Sequence, residues 1–354
     1  MRNEPGQGQG GAISADEQVA RIFAWRRGFN AMHLIDLGIR LGLFRELAER
    51  PESTPGELGA RLGLHAPYVE VWCTTACGFE LLDGDDARRY RLAPHMREIL
   101  ATPAHPRYLG GYVQLGTEFA TADYRLAREA FRDGTTAPFQ GRSAEFAEFV
   151  AQAIAGVNLL VARKILPGIP GVAAALGVGG ALLEVGCGTG RLQIQVAEAF
   201  PLTRCTGVDV DPTGLAAARE AIARAGLADR VAIVEGDVAV AVPREAFDVA
   251  VMVEVLHEIA PSVRPAVMQG IAGALRPGGW LVIVDETYPS SIAEARLPEF
   301  AFPLQTGFEE LMWGNVVPTR EEQEALLRGA GFAGAIQRSL LGAGFTLLAT
   351  RKEP

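Results

Sequence analysis

Three places in the second half of the chain combine residue types and spacings that can do chemistry. The first is Gly186-Cys187-Gly188-Thr189-Gly190, directly after the apolar run 181–185. Glycines there let the backbone turn sharply and come close to a ligand. The second is a pair of acids further on. Asp209 lies 19 residues beyond Gly190, at the end of the next apolar run, where a carboxylate can accept both hydroxyls of a ribose. Asp237, in Glu235-Gly236-Asp237-Val238, ends the run after that, where a carboxylate can accept from an adenine amino group. The third is Val253-Glu254-Val255-Leu256-His257-Glu258. A histidine titrates near neutrality and can remove a proton from a reacting group. Three readings of His257 stand open at this point: a general base, a polar pocket residue, or a satisfied structural histidine.

These residues need elements to hold them. The runs 181–185, 204–208, 231–235, 247–253 and 280–284 read as short buried strands, and 190–199, 213–225 and 263–274 as helices between them. Strand–helix repetition implies a parallel, doubly wound sheet, because right-handed crossovers place helices on both faces. The three features then share the carboxyl edge of that sheet, where ligands of such folds sit. A helix over 319–330 and an apolar strand over 344–349 complete the domain.

The first half has a different texture. Residues 1–15 are rich in Gly, Gln and Ser and read as a disordered tail. Over 17–47, Ile22, Phe23, Phe29, Met32, Ile35, Ile39 and Leu43 recur at helical spacing. Apolar positions wrap around much of this helix, so it needs cover from its own domain or a second subunit. Thr54 is placed to cap a helix that has Pro55 at its first position and ends at Gly63. A helix over 67–82, a turn at Asp83-Gly84-Asp85 and a strand over 89–92 complete the outline of a winged helix. Residues 107–165 read as helices interrupted around Gly134 and 138–141, and Pro167-Gly168-Ile169-Pro170-Gly171 punctuates the chain. The expected organisation is a tail (1–15), a winged-helix-like dimerisation domain (16–105), a helical linker and substrate cap (106–172) and a Rossmann-like domain (173–354).

Composition removes several function classes. Of 354 residues 49% are hydrophobic and 21% charged, with a net charge of −9 and only two lysines, Lys164 and Lys352. A partner held through phosphates needs clustered cations. The 67–82 helix, which would read DNA in a winged-helix regulator, has no Lys or Arg and carries Glu70 and Glu80. No nucleic-acid partner is expected. Four cysteines lack paired spacing, and Cys73 and Cys77, one helical turn apart, read as small core residues. The N-terminus has no apolar core of a signal peptide, and no uninterrupted apolar run approaches the ~18 residues of a membrane span. A cytoplasmic protein without a membrane partner is expected.

The Gly-x-Gly-x-Gly spacing differs from the dinucleotide fingerprint Gly-x-Gly-x-x-Gly. With Glu184 before it, the segment resembles the E/D-x-G-x-G-x-G motif of class I S-adenosylmethionine (SAM)-dependent methyltransferases. The likeness extends over 181–350 and includes Arg276-Pro277-Gly278-Gly279. It implies a seven-stranded sheet with a reversed last strand, and SAM as cofactor. Glu184 and Gly186 would meet its methionine end, Asp209 its ribose, and Asp237 with Val238 its adenine, with Gly188, Gly190 and Glu254 also around it.

The helical first half and Leu256-His257-Glu258-Ile259 make the chain similar to small-molecule O-methyltransferases of plants and bacterial natural-product pathways, whose motif is L-H-D-W. That resemblance implies a homodimer, an aromatic or lipophilic acceptor, O-methylation with His257 as general base, and Glu286 as an acid that orients it. The second such acid of the family would fall near Val317, where none stands. Methylation of carbon or nitrogen, a SAM fold that transfers no methyl group, and a winged-helix regulator are the alternatives. No metal is expected: relatives that hold iron use a second histidine, and no histidine follows His257. Phe149, Asn158, Phe308, Met312, Trp313 and Asn315 are the expected acceptor contacts.

Overall fold

The helix expected over 17–47 breaks in two. In the structure, a computed structural model that describes residues 13–342 and 344–353, α1 (Ala15–Arg40) stops at Leu41 and α2 (Leu43–Glu49) starts after Gly42. Gly42 has φ of 74°, in the left-handed region that a β-carbon disfavours. The apolar spacing runs on through this point, but the backbone does not. A reciprocal Ser14–Glu17 capping box starts α1. The tail expected over 1–15 lies outside the described residues except for its last three.

The chain divides into two compact units, the first ending at Pro103 and the second beginning at Ala104. The first continues with α3 (Pro55–Leu62), capped by Thr54 and ended by Gly63, and α4 (Ala66–Gly78). An antiparallel pair follows, β1 (Leu82–Gly84) and β2 (Tyr90–Leu92). Asp83 and Gly84, expected in a turn, belong to β1, because Leu82 pairs with Leu92 and is buried. The turn moves on to Asp85, whose side chain accepts the N–H of Arg89 at 2.9 Å. Phe44, Leu58, Trp72, Cys73 and Tyr90 form the core. Cys73 and Cys77 are free thiols, and burial together with Cys77 pushes the Cys73 thiol up to about 12. The early turns of α1 are uncovered within this chain: Phe23 is 71% and Trp25 70% exposed.

In the second unit, α5 (Ala144–Ala153) and α6 (Ala155–Leu160) precede the sheet. Then come β3 (Ala181–Val185), α7 (Arg191–Ala199), β4 (Arg204–Asp209), α8 (Pro212–Arg224), β5 (Val231–Glu235) and β6 (Phe247–Val253). They are followed by α9 (Arg264–Ala274), β7 (Leu275–Glu286), α10 (Ala301–Trp313), α11 (Arg320–Gly329), β8 (Gln337–Leu341) and β9 (Phe345–Arg351). The seven strands lie in the order β5-β4-β3-β6-β7-β9-β8. The first five are parallel, and β9 runs antiparallel to both neighbours.

Alternate residues face opposite sides of the sheet. Leu182, Val249 and Val282 pack on one face and Leu183, Ala250 and Ile283 on the other, so each central strand is buried twice. β8 has no such run: it is an edge strand, largely exposed along its length, with apolar residues only at its end, Leu340 and Leu341. Strand order reverses between β3 and β6, which opens a crevice at their carboxyl ends. Among the described residues no single helix is long and apolar enough to cross a membrane.

Candidate active site

A cavity of about 530 Å³ opens at that crevice, within the second unit. Its floor is the turn after β3. Gly186 has φ of 74°, and a β-carbon there would lie 2.4 Å from Val255, so only glycine fits beside the turn that follows β6. Gly188 borders the cavity, whereas Gly190 sits behind it at the N-terminus of α7. Glu184 also borders it, 5% exposed, with Oε2 buried and without a hydrogen-bond partner. Burial, and then the charge of Asp209, hold the Glu184 carboxyl well above the usual range. A buried carboxyl in that condition is disposed to take a cationic donor from a ligand.

Asp209 and Asp237 lie at the ends of the next two strands, and both border the cavity. Asp209 Oδ2 accepts the Gly188 N–H at 2.8 Å and Oδ1 accepts the Asp211 N–H at 3.0 Å, which ties the acid to the glycine turn. Each oxygen keeps a lone pair for a ligand hydroxyl. Asp237 caps a short helix by accepting the Ala239 N–H at 2.8 Å, and Val238 beside it is buried against the cavity.

The wall beyond β6 is more strongly charged. His257 is almost fully buried; its Nδ1 meets Asp285 Oδ1 at 2.6 Å and Glu286 Oε2 at 3.2 Å. Nε2 faces Glu310 Oε1 at 3.7 Å, longer than a hydrogen bond. Asp285 Oδ2 accepts the N–H groups of Val255 and Leu256 at 3.2 and 2.7 Å, so it fixes the turn as well as the ring. Thr306 donates to Glu286, and Asn315 donates to Glu310. Arg264 donates to the carbonyls of His257, Ile259 and Val316, which holds the turn from the other side.

Burial alone would strip the proton from His257, but Asp285 and Glu286 outweigh it and hold the imidazole well above its usual range. Burial raises Glu286 too, yet the charge of His257 and its hydrogen bonds bring it below the ordinary value. Burial keeps Glu254, Glu258 and Glu310 above theirs.

His257 itself does not border the cavity; Glu254 and Glu258, on either side of it in sequence, do. Single ligand atoms of Glu254, His257, Asp285 and Glu286 lie within 4.8 Å of one another. Three oxygens and one nitrogen at that spacing can hold either a shared proton or a divalent cation.

Sequence reasoning selected Glu286 as the orienting acid. The structure brings it to His257 but gives the shorter contact to Asp285, its neighbour. Successive strand residues point to opposite faces, so strand spacing allows only one of the two, and both arrive because β7 ends at Glu286. Glu310 was missed altogether. It lies on α10, seven residues before Val317, which follows the end of that helix and, where the family's second acid would fall, is buried and apolar. The pair Glu309-Glu310, flanked by Phe308 and Leu311-Met312-Trp313, was the only signal for it.

On the helical side, Asn158, Trp313 and Asn315 border the cavity, as does Phe139, which lies in a segment read only as a break between helices. Trp313 donates to Asp123 at 2.7 Å, Arg142 pairs with the same carboxylate at 2.8 Å, and Arg142 also lies over the rings of Phe146 and Trp313. Met312 borders an adjoining pocket of about 240 Å³ that shares Thr136 and Gly314 with the cavity. Phe149 and Phe308 border neither. Phe149 packs against Phe119, and Phe308 stacks on Tyr124.

Four likenesses to known proteins bear on the site. Residues 182–279 match the family described as a methyltransferase domain. The chain is 28% identical over 254 residues to a 3-hydroxy-5-methyl-1-naphthoate 3-O-methyltransferase of Streptomyces sahachiroi, spanning 69% of this chain and 70% of that protein. It is 34% identical over 159 residues to an aclacinomycin 10-hydroxylase of Streptomyces purpurascens, spanning 45% of this chain and 41% of that protein. Among solved structures, human N-acetylserotonin methyltransferase in complex with SAM superposes with a TM-score of 0.78 over 97% of this chain and 100% of that one. At 19% identity that likeness is one of fold.

Proposed function

The chain is a class I SAM-dependent methyltransferase, and from that premise we propose that it methylates a hydroxyl oxygen of a small aromatic molecule. The observation that carries the choice of oxygen is the Asp285–Glu286 grip on His257 Nδ1, between Glu254 and Glu258 in sequence, the two acids that border the cavity. A hydroxyl must lose its proton as its oxygen attacks, and two carboxylates raise the proton affinity of the histidine that would take it. The naphthoate 3-O-methyltransferase, an enzyme of a hydroxylated aromatic, agrees with this reading.

SAM supplies a methyl carbon that its sulfonium has already made electrophilic. What remains for the protein is alignment, exclusion of water and custody of one proton. Glu184, with its unpartnered buried oxygen, fits the cofactor's ammonium group. Asp209 fits the ribose, and Asp237 with Val238 fits the adenine. Gly186 and Gly188 let the backbone approach, and Gly190 shapes the start of α7. Glu254 closes the wall between cofactor and His257. Asn158, Trp313 and Asn315 face the acceptor, with Met312 in the adjoining pocket.

In the neutral state His257 keeps its hydrogen on Nδ1, held by Asp285, and offers the Nε2 lone pair. As the carbon–oxygen bond forms and the methyl carbon leaves sulfur, the acceptor's proton is passed through the cavity wall to Nε2, on the Glu310 side of the ring, and the carboxylates at Nδ1 stabilise the imidazolium. Incubation with SAM and a hydroxylated naphthalene should yield a methyl ether, identified by mass and by its O-methyl resonance. A hydroxylated or isomerised product instead would overturn the assignment and favour the chemistry named for the aclacinomycin relative.

We further propose that the enzyme is a homodimer built through α1, whose exposed Ile22, Phe23, Trp25 and Phe29 form the apolar surface that a second copy would bury. Sedimentation should give twice the chain mass, and Phe23→Asp should shift it to monomer. A wild-type monomer would dismiss the idea.

A further inference from the structure

The charge around the cavity is one-sided. Glu184, Asp209, Asp211, Asp237, Glu254 and Glu258 border it, and among the described residues Arg191 is the one cationic side chain that does. Arg191 is already engaged, pairing with Glu148 at 2.5 Å. Nothing in that wall is therefore available to neutralise a negatively charged acceptor.

Most of the acids have a duty. Glu184, Asp209 and Asp237 fit the cofactor, Asp211 accepts the Thr213 N–H at the start of α8, and Glu254 belongs to the His257 cluster. Glu258 does not. Its carboxylate makes no hydrogen bond or ion pair with any described residue, although it borders a cavity that the apolar Phe146, Ile259 and Val263 also line. Its withdrawal from water disfavours negative charge; His257 offsets this in part, while Glu310, Asp209 and Asp285 add repulsion. A carboxyl in this position either carries a proton or meets a cation brought by a ligand.

We propose that Glu258 selects the acceptor by binding a basic nitrogen on it. The preferred acceptors are then hydroxylated aromatics bearing an amine, and carboxylated aromatics are refused. This rests on the methyl-transfer reading for the chemistry of the hydroxyl, but the recognition step can be measured without turnover.

Three hydroxynaphthalenes that differ only in bearing an aminomethyl, a methyl or a carboxylate group would be titrated into the enzyme saturated with S-adenosylhomocysteine. The amine should bind about tenfold or more tightly than the methyl compound, as a charge-assisted hydrogen bond to a half-buried carboxylate allows. The carboxylate should bind most weakly. Titrations in buffers of different ionisation heat should show a proton leaving the protein as the amine binds.

Glu258→Gln should abolish the amine preference, and Glu258→Asp should keep it. Retained binding of S-adenosylhomocysteine in both variants would report an intact fold. Equal binding of amine and methyl compounds, tight binding of the carboxylate, or a preference that survives Glu258→Gln would each overturn the proposal. So would a Glu258→Gln variant that loses affinity for SAM relative to S-adenosylhomocysteine, since Glu258 would then be the partner of the sulfonium. An amine preference without any methyl ether formed would sustain this inference and sink the methyl-transfer reading.

Discussion

The acids beside the glycine turn and the acids around His257 are held by different means. Asp209 is fixed by the backbone N–H groups of Gly188 and Asp211, and Asp237 by that of Ala239. The His257 cluster is joined largely side chain to side chain, by Asp285, Glu286, Thr306, Glu310 and Asn315, drawn from β7 and the α10 region. The first arrangement relies on backbone donors at neighbouring strand ends. The second exists only when distant parts of the chain meet. In the first an acid waits for a ligand; in the second the charges already answer one another through a histidine.

That difference can be tested by removing one member of each. The largest effect is expected at the cluster: His257→Ala should lower turnover by about 10²–10⁴-fold, the usual worth of a positioned base. S-adenosylhomocysteine affinity, measured by calorimetry, should stay the same. Equal loss in both quantities would show that the two regions act as one.

At the glycine turn, Asp209→Ala should weaken S-adenosylhomocysteine by about 1–3 kcal/mol, the loss of charge-assisted hydrogen bonds. Unchanged affinity would mean that the ribose lies elsewhere.

A smaller effect separates charge from position within the cluster. His257 must be neutral to accept a proton, and its acids hold it above its usual range. The rate should therefore climb with pH through a limb above the ordinary histidine value of about 6.5. Asp285→Asn keeps an oxygen for the backbone donors but removes one charge, so the limb should move to lower pH. A limb that stays in place would assign it to another group. The smallest expected effect is that of a chelator. With a proton shared between Nδ1 and two carboxylates, the enzyme should work equally well in excess EDTA, and a loss restored by added metal would replace that proton with an ion.

The same contrast decides what could be read from sequence. The parallel strands announced themselves by doubly buried apolar runs, and the acids at their ends followed from position in the chain. β8, exposed along an edge, had no such run, and the break at Gly42 was hidden under a continuous apolar pattern. Asp285 and Glu310 escaped because their importance depends on which side of a strand end or helix turns toward His257, a matter of tertiary packing. Phe149 and Phe308 carried suitable aromatic character, but their partners, Phe119 and Tyr124, draw them away from the cavity.

The clasp of Arg142 and Trp313 on Asp123 bears on how such an enzyme can change its diet over generations. It secures the helical side of the cavity by contacts that share no residue with the His257 cluster or the glycine turn. Substitutions around Phe139, Thr136 and Asn158 can then reshape the cavity while the glycine turn and the His257 cluster stay as they were. Division of labour of this kind lets one scaffold serve many acceptors.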